Sequence, residues 1–254
     1  MKMGMKYSLG NYINSNTLSS VSSEQTIYPK ENMYNRRQSM PWRMELKSGY
    51  AIFDFGSERP TFFAFMNHNL FGTGAFSLTL KTAATEGALV ASSPESITWH
   101  KQNIWHAIAM TPNRWWRIDV ADPDNTANLE FGEIVFDIAG AFTMNYWWPY
   151  KEGLEYVLEE NVTQYGHRHI AKKAVRKTFG LDFEGVTDAN LVSEVQAFFE
   201  GFDGKNPLVF IPDSEKVDSW YVYCLNSLEA SRVFMDNNKF SLKLEEQSRG
   251  ISLL

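Results

Sequence analysis

His167 and His169 lie one residue apart, so in a strand they share a face and offer two imidazole ligands to a metal ion. Two ligands do not complete a site, and Arg168, Lys172 and Lys173 load the same segment with positive charge that opposes a cation. A solvated or interface-facing strand accounts for the pair, and no metal site is expected. Asp119, Asp122, Asp124 and Asn125 gather oxygen ligands in the manner of a calcium loop. Neither the central Gly nor the closing Glu of an EF-hand stands at the required offset, and the same residues around Pro123 make an ordinary hairpin turn.

Lys172, Lys173, Arg176 and Lys177 form a basic cluster in a chain whose net charge is −6 and whose pI is near 5.4. Such a cluster suits an acidic neighbouring subunit better than a phosphate backbone, the plainer explanation being a solvated face. Nucleic acid and anionic lipid attract larger basic surfaces, and nucleic acid is not expected as a partner. A nucleophile elbow, a Gly-rich phosphate loop and the H-E-x-x-H pattern are all missing from the sequence. Among 30 carboxylates some pair must fall close together, which leaves an acid–base couple open without pointing to one. No catalytic, cofactor-binding or metal-binding residue is therefore assigned.

Aromatic residues make up 15% of the chain, a high share, and Trp or Tyr on a rigid β-surface can stack on sugar rings or anchor a protein interface. Trp99, Trp105, Trp115, Tyr146, Trp147 and Trp148 are candidates, though at strand spacing an aromatic belongs more often to a core. Trp115, Trp147 and Trp148 are carried forward as sugar or interface aromatics. Trp115 is expected to be exposed because its neighbour Trp116 falls in phase with Ile118 and Val120 on the inward face.

The elements that must position these residues are mostly strands, since period-two alternation recurs along the chain. Ala51, Phe53 and Phe55 share a face, as do Phe76, Leu78 and Leu80. Leu129 and Phe131 are in one phase and Ile134, Phe136 and Ile138 in the other, which predicts a β-bulge at Gly132. Little helical periodicity precedes residue 140, so residues 1–142 are expected to form a β-sandwich of jelly-roll type. Residues 143–254 are expected to form a smaller β-rich α+β domain. Its alternation at Phe179, Leu181 and Phe183 leads to one helix near 188–202, capped by Thr187 or Asp188 and closed by Gly201 and Gly204. On that helix Leu191, Val192, Val195, Phe198, Phe199 and Phe202 share a face.

Cys224 is the single cysteine, so neither a disulfide nor a cysteine-based zinc site is available within the chain. No stretch approaches the roughly 20 apolar residues of a membrane helix, and Met1–Gly10 lacks the apolar run of about 7 to 15 residues of a signal peptide.

Several segments of the first half resemble a family of phage virion proteins that carry a discoidin-like, or galactose-binding-like, β-jelly-roll domain. They are YPKENMYNRRQSMPWR at 28–43, YAIFDFG at 50–56, FAFMNHNL at 63–70, WWRIDVADPDN at 115–125 and LEFGEIVFD at 129–137. The likeness spans residues 25–140 and is weaker at PLVFIPD, 207–213, and FSLKLEEQS, 240–248. It implies a structural subunit of a phage tail near the distal tip or hub. It further implies a hexameric or trimeric ring, contact with other tail proteins, synthesis in the host cytoplasm and a final place in the virion. A carbohydrate-binding module for host surface glycans is the second expectation, a glycan hydrolase the third. Within the 63–70 segment, Asn67, His68 and Asn69 are expected to hold a sharp exit from the sheet by bonding neighbouring backbone groups.

Overall fold

The computed structural model describes residues 5–101, 103–142, 151–162, 164–165, 167–202, 205–227 and 229–247. The chain is mainly β and divides into two compact units. A sandwich unit comprises Lys6–Ala141 and Val209–Trp220, and a hairpin unit comprises Met1–Met5, Phe142–Leu208 and Tyr221–Leu254. The sequence places a single cut between 142 and 143, whereas the fold returns a late segment, 209–220, to the first unit.

The sandwich unit begins with β1 (Lys6–Ser8), β2 (Leu18–Val21), β3 (Trp42–Arg43), β4 (Ser48–Asp54), β5 (Phe62–His68) and β6 (Ser77–Ala83). It continues with β7 (Glu95–Ser96), β8 (Ile104–Ala107), β9 (Trp115–Ala121), β10 (Glu130–Asp137) and β11 (Gly140–Ala141). Five strands in the order β2-β4-β9-β6-β7 form one antiparallel sheet, and four in the order β3-β10-β5-β8 form the other. Alternation sends Phe53, Leu78, Leu80, Trp116 and Ile118 inward from the first sheet and Phe63, Phe65, Ile134 and Phe136 inward from the second. Phe136 sits at the meeting point, its ring 5.4 Å from Phe53, 5.0 Å from Phe63 and 5.7 Å from Trp116. Such aromatic contacts add to the burial of large apolar areas, and this cluster lies at the centre of the unit's core.

The predicted bulge at Gly132 is not formed. Pairing of β10 with β5 keeps one register from Phe131↔His68 to Asp137↔Phe62, so no residue is inserted. Between Phe131↔His68 and Glu133↔Met66 no ladder pair forms, and Asn67, at that step of β5, holds a left-handed φ of 54°. Gly132 is required there because a Cβ would lie 2.3 Å from the Gln38 carbonyl oxygen and 2.9 Å from that of Met66. At the end of β10, Asp137 accepts hydrogen bonds from Ser8 Oγ and the Gly10 N–H, both at 2.7 Å, which ties the strand to the start of the chain.

The hairpin unit is built on β12 (Lys151–Val162) and β13 (Arg168–Val186), paired antiparallel from Lys151↔Gly180 to Val162↔Arg168. Lys173 is left over where the register shifts beside Val157 and Leu158. A helical run follows as a turn of α-helix, α1 (Asp188–Asn190), a π-helical stretch over Leu191–Gln196, and α2 (Ala197–Gly201). Thr187 is the N-cap, its Oγ1 accepting from the Asn190 N–H at 3.2 Å. Val195 and Phe198 are buried, but Val192 is exposed, because the wider π turn rotates it away from the face that an α-helical count assigns to it. Gly204 lies outside the described residues.

After the helix come β14 (Leu208–Ile211), β15 (Trp220–Cys224), β16 (Ser231–Phe234) and β17 (Asn237–Glu246). β17 pairs with β15, with β16, and with β13 from Thr178 to Val186. Phe179, Leu181 and Phe183 are buried with Phe240, Leu242 and Leu244, and the Phe183 and Phe240 rings stack at 4.4 Å. β14 belongs to the other unit, where it pairs with β1, which in turn pairs with β11. There Asn103 Nδ2 donates to the Ser219 carbonyl at 2.7 Å and Trp105 Nε1 to that of Lys216 at 3.2 Å, so the returning segment is held by β8 and the loop before it.

Candidate functional site

The predicted structural turn is a dense set of side-chain to backbone bonds. Asn67 Nδ2 donates to the Gln38 carbonyl at 2.6 Å, and the Asn67 N–H donates to Asn103 Oδ1 at 2.9 Å. The ring Nδ1 of His68, a buried residue, accepts from the Leu70 N–H at 3.1 Å. Asn69 Nδ2 donates to the Asn128 carbonyl at 2.7 Å while its Oδ1 accepts from the Glu130 N–H at 2.8 Å. All three side chains are committed to neighbouring backbone.

The Asp119 to Asn125 stretch does not converge on one point. Asp119 lies on the outer face of β9, paired with Lys81 at 3.3 Å and Arg117 at 2.6 Å. Asp122 is buried and accepts from the Phe71 N–H at 2.5 Å and from Asn125 Nδ2 at 3.2 Å, while Asp124 is exposed. His169 is on β13 and His167 precedes it, both exposed. Among the described residues no group of three or more His, Cys, Asp or Glu is placed to hold a metal ion.

Of the aromatics, Trp116 is fully buried and Trp115 is half-buried. Trp115 packs against the small outer cluster of Ile52, Ala83 and Leu89, with the Arg114 guanidinium 5.6 Å from its ring. Beside it Arg117 lies 4.1 Å over the Tyr50 ring, so that ring's face is already covered. Trp99 and Trp105 each donate an indole N–H to a backbone carbonyl, of Leu70 and of Lys216. Tyr146, Trp147 and Trp148 lie outside the described residues.

The basic cluster is on β13, largely in cross-strand ion pairs. Lys173 pairs with Glu159, Arg176 with Glu245 at 2.5 Å and Lys177 with Glu152 at 3.4 Å, while Lys172 lies 5.2 Å from the Tyr156 ring. Arg168 adds a two-pronged contact with Glu160. Glu159 is held below the usual carboxylate range by its hydrogen bond and charge contact with Lys173.

Around these charges the hairpin has an apolar face that the sequence analysis does not single out. Leu154, Tyr156, Leu158 and Val162 are all even-numbered positions of β12 and share one side. Val175 and Ile170 join them from β13, opposite Tyr156 and Glu160, and Glu160, Arg168, Lys172 and Lys177 stand among them on that side, so the apolar side chains there are interleaved with charges. Leu154, Tyr156, Leu158, Val162 and Ile170 each leave more than half of their surface in solvent. The signal was present in the alternation of LEYVL at 154–158.

No family model matches the chain, and no curated protein matches it. Solved structures do. The CpGH89CBM32-6 module produced by Clostridium perfringens is 13% identical, with 50% of this chain and 98% of that one covered and a TM-score of 0.37. Chitosan-binding module 1 of the chitosanase/glucanase from Paenibacillus sp. IK-5 is 11% identical over 50% of this chain and 98% of that one, with a TM-score of 0.39. A Ruminococcus gnavus GH29 fucosidase is 14% identical over 52% of this chain and 27% of that one, again with a TM-score of 0.39. At these TM-scores nothing about the ligand of this chain follows from the likeness. Among the described residues no helix is long and apolar enough to cross a membrane.

Proposed function

We propose that this chain is a non-catalytic structural subunit of a phage tail, near the distal tip or hub, which assembles with copies of itself and with other tail proteins through its hairpin unit. The observation that carries the assembly reading is the hairpin's exposed apolar face. An apolar strip spread over the outer ends of two strands gains nothing in water, and exposed patches of this kind mark interaction surfaces. β12 is also a long edge strand, the feature that natural proteins cover when they do not use it for pairing. The tail setting, the hexameric or trimeric ring and the place in the virion rest on the resemblance of residues 25–140 to phage virion proteins. Light scattering on the purified chain tests assembly: the expected result is a discrete closed oligomer that Leu158→Ser together with Val162→Ser dissociates. A chain that stays monomeric at high concentration overturns the proposal.

A second reading gives the sandwich unit a host glycan to recognise, and one observation favours it. Trp115 keeps part of its indole in solvent on the outer face of the five-stranded sheet, beside Arg117 and Asp119, an apolar plate flanked by hydrogen-bonding groups. Glycan-array binding that is lost in Trp115→Ala, with the melting temperature little changed, supports that role. Binding that survives the substitution removes Trp115 from it.

A further inference from the structure

We infer that the outer face of the five-stranded sheet takes an acidic sugar, with the sugar ring on Trp115 and a negatively charged substituent of that ring on Lys81. The inference rests on the second reading above and adds the charge class of the glycan. Strand register fixes the layout. Asp54, Trp115 and Ala83 make one cross-strand row over β4, β9 and β6, Ile52, Arg117 and Lys81 make the next, and Tyr50, Asp119 and Thr79 make the third. These positions alternate with the inward Trp116, Ile118 and Val120 and so share the outer face. Rows two residues apart are separated by about 7 Å along the strands. An apolar plate and a pair of cations therefore lie within reach of one sugar ring and a substituent on its rim.

The charges of this face do not balance. Arg114 and Asp54 close on each other, Nε to Oδ1 at 2.7 Å and Nη2 to Oδ2 at 2.6 Å, a complete two-pronged pair. In the middle row Arg117 and Lys81 stand opposite each other and both turn to one carboxylate, that of Asp119. Arg117 brings Nε and Nη2 to the same oxygen, Oδ1, at 2.8 and 2.6 Å, and its guanidinium covers the Tyr50 ring. Lys81 is left with Oδ2 at 3.3 Å, a charge contact in which that oxygen accepts no hydrogen bond. Two cations thus share one anion, in a chain whose net charge is −6.

Lys81 is the member of the set with capacity to spare. An ammonium carries three N–H donors, and among the described residues none of those of Lys81 is taken up in a hydrogen bond. Its side chain is 19% exposed, so it is already confined and loses little freedom when a ligand arrives. A neutral sugar leaves the surplus charge unmatched. A carboxylate or phosphate on the ring rim matches the charge and the free donors together.

Lys81→Met removes the charge and keeps the length of the side chain, whereas Lys81→Arg keeps the charge. Titration calorimetry on the parent and both variants uses oligosaccharides of matched length that carry a uronic acid, a sugar phosphate or neither, and melting temperatures check that each variant folds. The expected result is tighter binding of an acidic set than of the neutral one. Lys81→Met is expected to lower that acidic affinity roughly tenfold while the neutral set changes less than about twofold, and Lys81→Arg retains the preference. The tighter of the two acidic sets tells carboxylate from phosphate. Equal binding of acidic and neutral sets that Trp115→Ala abolishes overturns the inference and keeps the glycan reading. An acidic preference that survives Lys81→Met, or that Lys81→Arg does not retain, overturns the placing of the charge on Lys81. No binding of any set overturns the inference and the glycan reading together.

Discussion

β9 and β12 both alternate, with Trp116, Ile118 and Val120 on one face of the first and Leu154, Tyr156 and Leu158 on one face of the second, yet they end in opposite surroundings. β9 runs through the middle of a five-stranded sheet, with Trp116, Ile118 and Val120 buried against the facing sheet and Trp115 half-covered by Leu89 on the other side. β12 stands at the edge of its sheet with Leu154, Tyr156 and Leu158 in solvent. The same sequence pattern is thus buried in one place and exposed in the other. What separates them, among the described residues, is whether a second layer covers the apolar side.

Truncations that ignore this difference should fail to tell the two regions apart, so the largest expected effect tests the core. Phe136→Ala removes the ring at which both sheets meet and is expected to cost about 3–5 kcal/mol, read as a lower urea midpoint of the sandwich unit. Asn69→Ala leaves the Asn128 carbonyl and the Glu130 N–H without their partner and is expected to cost about 1–3 kcal/mol on the same scale.

Leu158→Ser should invert the comparison. Its folding cost is expected within about 0.5 kcal/mol because the side chain is exposed, while each joint of the proposed assembly is expected to weaken by about 1 kcal/mol, roughly fivefold in the dissociation constant. Sedimentation at two salt concentrations sharpens the point. In the proposed assembly, a joint held by charge contacts loosens as salt rises, and one held by apolar contact does not.

The smallest effect concerns Glu95, which holds β7 to the segment after β8. Burial by itself would raise its carboxyl, but the hydrogen bond with His106 Nε2 at 2.7 Å and those from the Ala109 and Met110 N–H groups bring it below the usual range. A carboxyl depressed in the folded state stabilises above its unfolded pKa and loses that contribution as pH falls through the folded one. The melting temperature of Glu95→Gln should therefore lie slightly below that of the parent at neutral pH, and the gap should shrink on acidification below the usual carboxylate range. A gap that widens there breaks this account.

Much of the sandwich is legible in the residues themselves. Phe53, Leu80, Trp116 and Phe136 declare their inward faces by period two, and Asn67, His68 and Asn69 announce a turn by their side-chain chemistry. Local patterns cannot show pairing between residues far apart, which is why the partner strand of β1 and the return of 209–220 are not readable. The phase slip at Gly132 is visible, but the break in pairing that accompanies it is not, because it involves the left-handed Asn67 on another strand. The apolar side of β12 is legible as alternation. Its exposure is not, since alternation reports that one face differs from the other without reporting whether anything covers it.

The bond between the returning segment and the sandwich also has a meaning in time. β1 finds its β14 partner about 200 residues later, and Asn103 and Trp105 find the carbonyls of Ser219 and Lys216 only when those residues have been made. At about 5–20 residues per second, the interval between synthesis of residues 142 and 220 is roughly 4–16 s. Throughout it, two sheets that already hold a complete aromatic core wait on the ribosome with their first strand half-paired.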